Sequence, residues 1–247
     1  MKRDIVYILK EVIDPAELTY SLRSIDKNFP HGRVWFVGGQ PEGLTPDGRI
    51  VHKQIGTSKW ERVRSSLFEV VNNKEITEEF YLFNDDFFVM KPVTGEFINF
   101  TDGTLDRRIR KLRERVGDSS YARLLSRARQ ELVSCGYDTM SFALHMPMLI
   151  NKTDLIPVIS RSENLGFRSM YGNMAQVPYT FHEDVKIYDN ETEPDPESDY
   201  ISTSNSSFQD GIVGKRLREI FTEPSRFEKK GVPPSELYTE EGDDRYA

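Results

Sequence analysis

The 247-residue sequence has one cysteine, Cys135, so it holds neither an internal disulfide nor a CxxC pair for zinc. A lone thiol suits a reducing compartment, and free cysteine packs in cores more often than not, so Cys135 is expected to be buried. No apolar run approaches the roughly 20 residues of a membrane span. The start, Met1-Lys2-Arg3-Asp4, is basic but passes straight into a strand-like run, unlike a secretory signal, and points to a cytoplasmic protein. A Gly-x-Ser-x-Gly elbow is missing, as is any Ser-His-Asp order, which leaves acyl transfer without support. Gly38-Gly39 is too short for a phosphate-cradling loop and reads as a turn. No internal repeat is visible.

What remains is the composition of a soluble protein, 37% hydrophobic and 30% charged, long enough for one substantial α/β core. The net charge of −7 is unevenly spread. Between Arg107 and Arg129 nine Lys or Arg face only Glu114 and Asp118, a local +7 that leaves −14 for the rest. Such asymmetry describes a basic face on an acidic body: either a solvated helical surface or a grip for a polyanion such as DNA.

Periodicity supplies the elements. Asp4 to Leu9 reads as a strand, Ala16 to Ile25 as a helix, Arg33 to Val37 as a second strand and Ile50-Val51-His52 as a short third. Trp60 to Asn72 has helical spacing through Val63, Leu67 and Val70, and Phe80 to Phe83 is a buried-strand candidate. Leu105 to Val116 and Tyr121 to Leu132 form two stripes around Gly117-Asp118, predicting a basic helical hairpin inserted at about 104–134. A strand near Ser141 to Leu144, a helix from Lys152 to Ile159 and another from Gly211 to Phe221 follow. Asp189 to Asp199 and the acidic stretch 229–247 are expected to be mobile surface segments. The sum is an α/β fold, a mixed and mostly parallel Rossmann-like sheet flanked by helices, in a single domain over 1–228.

The Phe80 to Phe83 run leads directly into Asn84-Asp85-Asp86. Strand ends on open α/β sheets are where ligand crevices form. Two carboxylates there suit a hard divalent cation, Mn2+ or Mg2+, which takes oxygen ligands and neutralises a diphosphate. An acidic turn of purely structural use has the same spacing.

The stretch Tyr81 to Val93 around Asn84-Asp85-Asp86 resembles the second signature region of the Stealth proteins, the capsular-polysaccharide sugar-phosphotransferase family. Asp4 to Tyr7 with Glu17 to Ile25, including a Ser-Leu-Arg-Ser core, is similar to the first region. His145 to Ile150 with Phe167-Arg168-Ser169 is similar to the third, and Phe221 with Pro224 to Glu228 to the fourth. The likeness spans most of residues 4 to 228, although Ile8-Leu9-Lys10 departs from the family's pattern and the basic hairpin lies outside it. It implies a GT-A-like fold acting on a nucleotide-sugar donor, in which the triplet plays the Asp-x-Asp part. Asp86 would then be the principal metal ligand, with Asp85 and Asn84 nearer the ribose or the metal's waters.

Further candidates follow from residue chemistry. Arg23, Lys59, Arg62 and Arg64 are candidates to meet a diphosphate, for which guanidinium groups are well shaped. His145 is a candidate base for an acceptor hydroxyl, since imidazole exchanges protons near neutrality. His182, before Glu183 and Asp184, is a candidate third metal ligand. Arg168 is a candidate phosphate contact, with Asp210 a reserve carboxylate. The resulting expectation is a metal-dependent glycosyltransferase acting on a DNA base, a glycan or a protein. Sugar-1-phosphate transfer and a non-catalytic nucleic-acid-binding module are the alternatives.

Overall fold

The computed structural model describes residues 2–11, 15–161 and 165–231. Its first half runs β1 (Asp4–Leu9), α1 (Pro15–Asn28), β2 (Val34–Gly38), β3 (Gly48–Ile50), α2 (Lys59–Asn72), β4 (Glu79–Phe83), β5 (Phe87–Val89) and β6 (Asn99–Thr101). Then come α3 (Leu105–Val116), α4 (Ser120–Ser134), β7 (Met148–Asn151), α5 (Lys152–Arg161) and α6 (Phe167–Met174). The chain continues through β8 (Tyr179–Phe181), β9 (Lys186–Ile187), β10 (Tyr200–Thr203), α7 (Asn205–Gln209) and α8 (Ile212–Ile220).

Five strands form the main sheet in the order β3-β2-β1-β4-β7, parallel except for β7, which runs antiparallel to β4. The central strands are apolar almost throughout because both of their faces are covered. Alternation along β1 sends Ile5, Tyr7 and Leu9 to one face, where they meet Leu18, Leu22 and Ile25 of α1. Val6 joins the other face with Leu67 and Val70 of α2 and the apolar stripes of α3 and α4. The α/β architecture expected from periodicity is therefore the one found.

Local chemistry sets the element ends. Ser58 and Glu61 close a capping box on α2, and Thr104 and Ser119 cap α3 and α4 through their hydroxyls. Gly38 ends β2 at φ 105°, and a side chain there would meet the Leu9 carbonyl at 2.3 Å, so the backbones at this edge approach only because glycine is present. The acid inside the first strand, Asp4, is buried but satisfied by the indole of Trp35 at 3.0 Å and the Arg33 amide at 2.8 Å.

Three expectations need correcting. Ser141 to Leu144 is not a strand, because its backbone donors go elsewhere: Ser141 N–H to the Gly103 carbonyl at 2.7 Å and Phe142 N–H to the Ser169 hydroxyl at 3.1 Å. The strand forms after Pro147 instead, as β7. Cys135 is exposed, because it is the residue that ends α4 at the surface, beside Arg161 at 3.2 Å. The short third strand lies at Gly48–Ile50, slightly earlier than its β-branched residues suggested. Asp189 to Asp199 is an irregular segment between β9 and β10, and most of the acidic stretch, 232–247, lies outside the described residues.

Candidate active site

Phe80 to Phe83 hold β4 in the apolar interior, so the chain reaches a polar environment only where the strand ends, at Asn84. A tight turn follows, with the Phe87 N–H donating to the Asn84 carbonyl at 3.3 Å, and β5 begins at once. Asn84 is exposed, Asp85 half-buried and Asp86 only 9% exposed. The carboxyl ends of β1, β2 and β3 share this edge, as do the first turns of α1 and α2, because parallel strands and their crossover helices alternate in direction.

Late strands complete the surroundings of Asp86. β10 pairs antiparallel with β5 and brings the Ser202 hydroxyl within 3.0 Å of Asp86 Oδ2. β9 pairs with β10 and brings Lys186, whose ammonium donates to the same Oδ2 and to the Thr203 carbonyl. The Thr203 hydroxyl donates to Glu17 Oε1 at 2.7 Å, so the first turn of α1 is held in the same cluster. Asp86 Oδ1 is buried and has no hydrogen-bond partner. A buried carboxylate oxygen left in this state costs free energy unless something fills its lone pairs.

Charge is concentrated here. Burial and the neighbouring Asp86 carboxylate push Asp85 up to about 6. Burial, with Asp86 and Asp85 beside it, pushes Glu17 up to about 8. Burial alone would raise Asp86 as well, but Lys186 and His145 hold it below the ordinary carboxylate value. Burial works against the Lys186 ammonium, and the Asp86 carboxylate outweighs it, raising the lysine's affinity for its proton.

A second cluster adjoins the first. The His145 N–H donates to Asp184 Oδ1 at 3.0 Å, and the His145 Nδ1 lies 3.0 Å from the same carboxylate. Burial would raise Asp184, but His145 and Arg108 hold its carboxyl well below the ordinary value. An ionised carboxylate only accepts hydrogen bonds, so it selects the tautomer with the proton on Nδ1 and leaves Nε2 its lone pair. Arg168 donates from Nη1 to the Met146 carbonyl at 2.8 Å and lies 5.5 Å from the Phe87 ring centre. Its Nη2 is buried and unpartnered, and burial lowers the guanidinium to about 10 despite the nearby charges of Asp86 and Asp184. A small cavity lined by Phe100, Met146 and Arg168 opens beside it.

The structure thus brings Asp85, Asp86, His145 and Arg168 into one electrostatic neighbourhood. It places other candidates differently. Arg23 forms a two-pronged ion pair with Glu228, at 2.9 and 2.6 Å, and donates to the Phe221 carbonyl, so its donors are taken by the chain itself. Lys59 and Arg62 sit on the first turn of α2, the ammonium 5.8 Å from the Trp60 ring centre and the guanidinium exposed. Arg64 bonds the Ile159 carbonyl, and Asp210 ends α7. His182 Nδ1 lies 2.6 Å from the Glu183 carbonyl, and its ring packs edge-on against Phe100.

Among the described residues no group of three or more His, Cys, Asp or Glu side chains is arranged to hold a metal ion. The fit of a hard cation therefore rests on the Asp85-Asp86 pair, where the unpaired Oδ1 is an oxygen donor without a partner. Magnesium-type sites are commonly built this way, from one or two carboxylates with phosphate and water oxygens. Sequence reading had not singled out Lys186 and Ser202, which sit 100 and 116 residues from Asp86. Glu17 lay within a quoted motif, but nothing local marked it as part of this site.

The hairpin is present as α3 and α4, and much of its charge is met by acids of this chain. Arg108 bridges Asp102 at 3.0 Å and Asp184 at 2.9 Å. Arg107 and Lys111 reach Glu183, Arg113 and Arg123 reach Asp118, and Arg129 reaches Asp106. Among the described residues no helix is long and apolar enough to cross a membrane.

No family model matches the chain, and no curated protein matches it, so the Stealth resemblance rests on the motifs quoted above. Among solved structures the chain is similar to the glycosyltransferase GlyE of Streptococcus pneumoniae TIGR4, with 14% identity and a TM-score of 0.35. That likeness covers 74% of this chain and 45% of the other, so the chain spans under half the length of the protein it is compared with.

Proposed function

We propose that the chain is a divalent-metal-dependent glycosyltransferase that moves a sugar from a nucleotide-sugar donor to an acceptor hydroxyl. The observation that carries this reading is the pair Asp85-Asp86 at the carboxyl end of a central parallel strand, with one buried carboxylate oxygen unsatisfied. Support comes also from the Stealth-like motifs, which imply a GT-A-like arrangement with this triplet in the metal-binding part.

Asp86 and Asp85 would hold Mn2+ or Mg2+, and the cation would supply positive charge to the diphosphate of the leaving nucleotide. The remaining work falls to side chains of this chain. His145, oriented by Asp184 through Nδ1, takes the proton of the acceptor hydroxyl at Nε2. Arg168 holds a buried Nη2 that a phosphate oxygen would satisfy, and a charge-assisted bond there is roughly twice as strong as a neutral one.

A thermal-shift panel of nucleotide sugars, with and without Mn2+, tests the reading, because a ligand of the folded state raises Tm. One donor should stabilise the protein only with the metal present. The double substitution Asp85→Asn with Asp86→Asn should abolish that shift and lower turnover by about a thousandfold, as loss of preorganised electrostatic stabilisation commonly does. Stabilisation without metal, or full turnover in the double variant, would overturn it. Product analysis separates the two transfer chemistries: release of a nucleoside diphosphate accompanies glycosyl transfer, and release of a nucleoside monophosphate accompanies sugar-phosphate transfer.

A further inference from the structure

Lys186 stands on β9, a two-residue strand, and its ammonium is buried against Asp86 Oδ2 and the Thr203 carbonyl. The side chains of both partners in the ion pair are almost closed to solvent, 12% and 13% exposed. Ser202 donates to the same Oδ2, so that oxygen already has two donors while Oδ1 has none. A purely structural ion pair would be expected to satisfy the carboxylate as a whole, because a half-satisfied buried carboxylate is costly. Here one oxygen is fully engaged and the other is left open, at the place where the proposed reading puts a cation.

We infer that Lys186 is an internal counter-ion that stands in for the divalent cation at Asp86, and that the metal must weaken this ion pair in order to bind. The inference rests on the proposed metal site and adds its control. Two cations drawn to one buried carboxylate repel each other strongly, because effective permittivity there is far below that of water. The lysine therefore weakens metal binding to the resting protein. It also keeps the Asp86 charge neutralised between turnovers, when no metal is bound. A donor diphosphate brings negative charge that both cations can share, so the design favours loading of metal together with donor.

Titration of the protein with Mn2+ alone, followed by the loss of the free-ion electron paramagnetic resonance signal, reads the effect directly. Lys186→Met removes the competing charge and should tighten Mn2+ binding at least tenfold. Lys186→Arg keeps the charge and should stay near the native value, and Asp86→Asn should remove the site in every background. Equal Mn2+ affinity in native protein and Lys186→Met, with both folded by circular dichroism, overturns the counter-ion while leaving the metal site standing. Absence of saturable Mn2+ binding in all of them overturns both.

A second measurement needs no variant. Acetylation of the native chain by an N-hydroxysuccinimide ester, mapped by mass spectrometry, should show Lys186 protected without metal and labelled several-fold faster with saturating Mn2+. Unchanged labelling in metal that does bind would mean that the lysine stays fixed and the inference fails.

Discussion

The division of labour around Asp86 and His145 depends on which atoms are already engaged. Asp184 receives two hydrogen bonds from His145, one from its backbone and one from its ring, so the imidazole can neither rotate freely nor choose its tautomer. His145→Asn should lower turnover by about a hundredfold, the low end of what a positioned base contributes. Asp184→Asn should cost less and should shift the pH profile of kcat, because the amide no longer favours the proton on Nδ1. Steady-state rates across pH for both variants check this, and equal profiles would remove His145 from the role of base. The sequence showed these residues as types, a histidine in an apolar run and acids in a turn. It did not show which atoms were spoken for, since His145 and Asp184 lie 39 residues apart.

At the scale of elements, the hairpin α3–α4 pairs much of its charge with acids of this chain, and one arginine is turned inwards. Arg108 lies between Asp102 and Asp184, with 13% of its side chain exposed. Arg108→Met should destabilise the protein by about 3 kcal/mol, because the buried Asp102 loses its ion-pair partner and Asp184 keeps only His145, and denaturant unfolding measures it. The same pairing lowers the field available to a polyanion. Duplex DNA should show no saturable binding near 150 mM salt in a fluorescence-polarisation titration, whereas a grip made of several free basic side chains would give steep salt dependence.

Elements with long periodic patterns were legible in the sequence, as α2, α3 and α4 show, because amphipathic spacing over three or more turns has few readings. The strands β5, β9 and β10 were not, since they are two to four residues long, and β5 and β10 pair across more than a hundred residues. These short strands carry Ser202 and Lys186, which is why half of the Asp86 environment escaped local patterns.

Over the whole molecule, α1, which covers one face of the main sheet, is tied to the last described segment by the Arg23–Glu228 pair, whose side chains are 7% and 9% exposed. Burial would raise Glu228, but Arg23 and the Ser225 backbone hold it below the ordinary glutamate value of 4.5. Its contribution is therefore complete above that value and fades as pH falls below it. Urea unfolding at pH 7 and pH 3.5 should show Glu228→Gln weaker than the native chain at pH 7 and closer to it at pH 3.5. A constant gap would assign the pair no pH-dependent role.

The antiparallel pairing of β10 with β5 has a temporal meaning as well as a spatial one. During synthesis the acidic turn at 84–86 leaves the ribosome long before Lys186 and Ser202 exist, so the nascent chain carries Asp86 without the lysine and the hydroxyl that bond it. Only when the late strands dock does the Asp86 cluster acquire its lysine, and a chain interrupted before residue 186 would lack both Lys186 and Ser202 at that carboxylate.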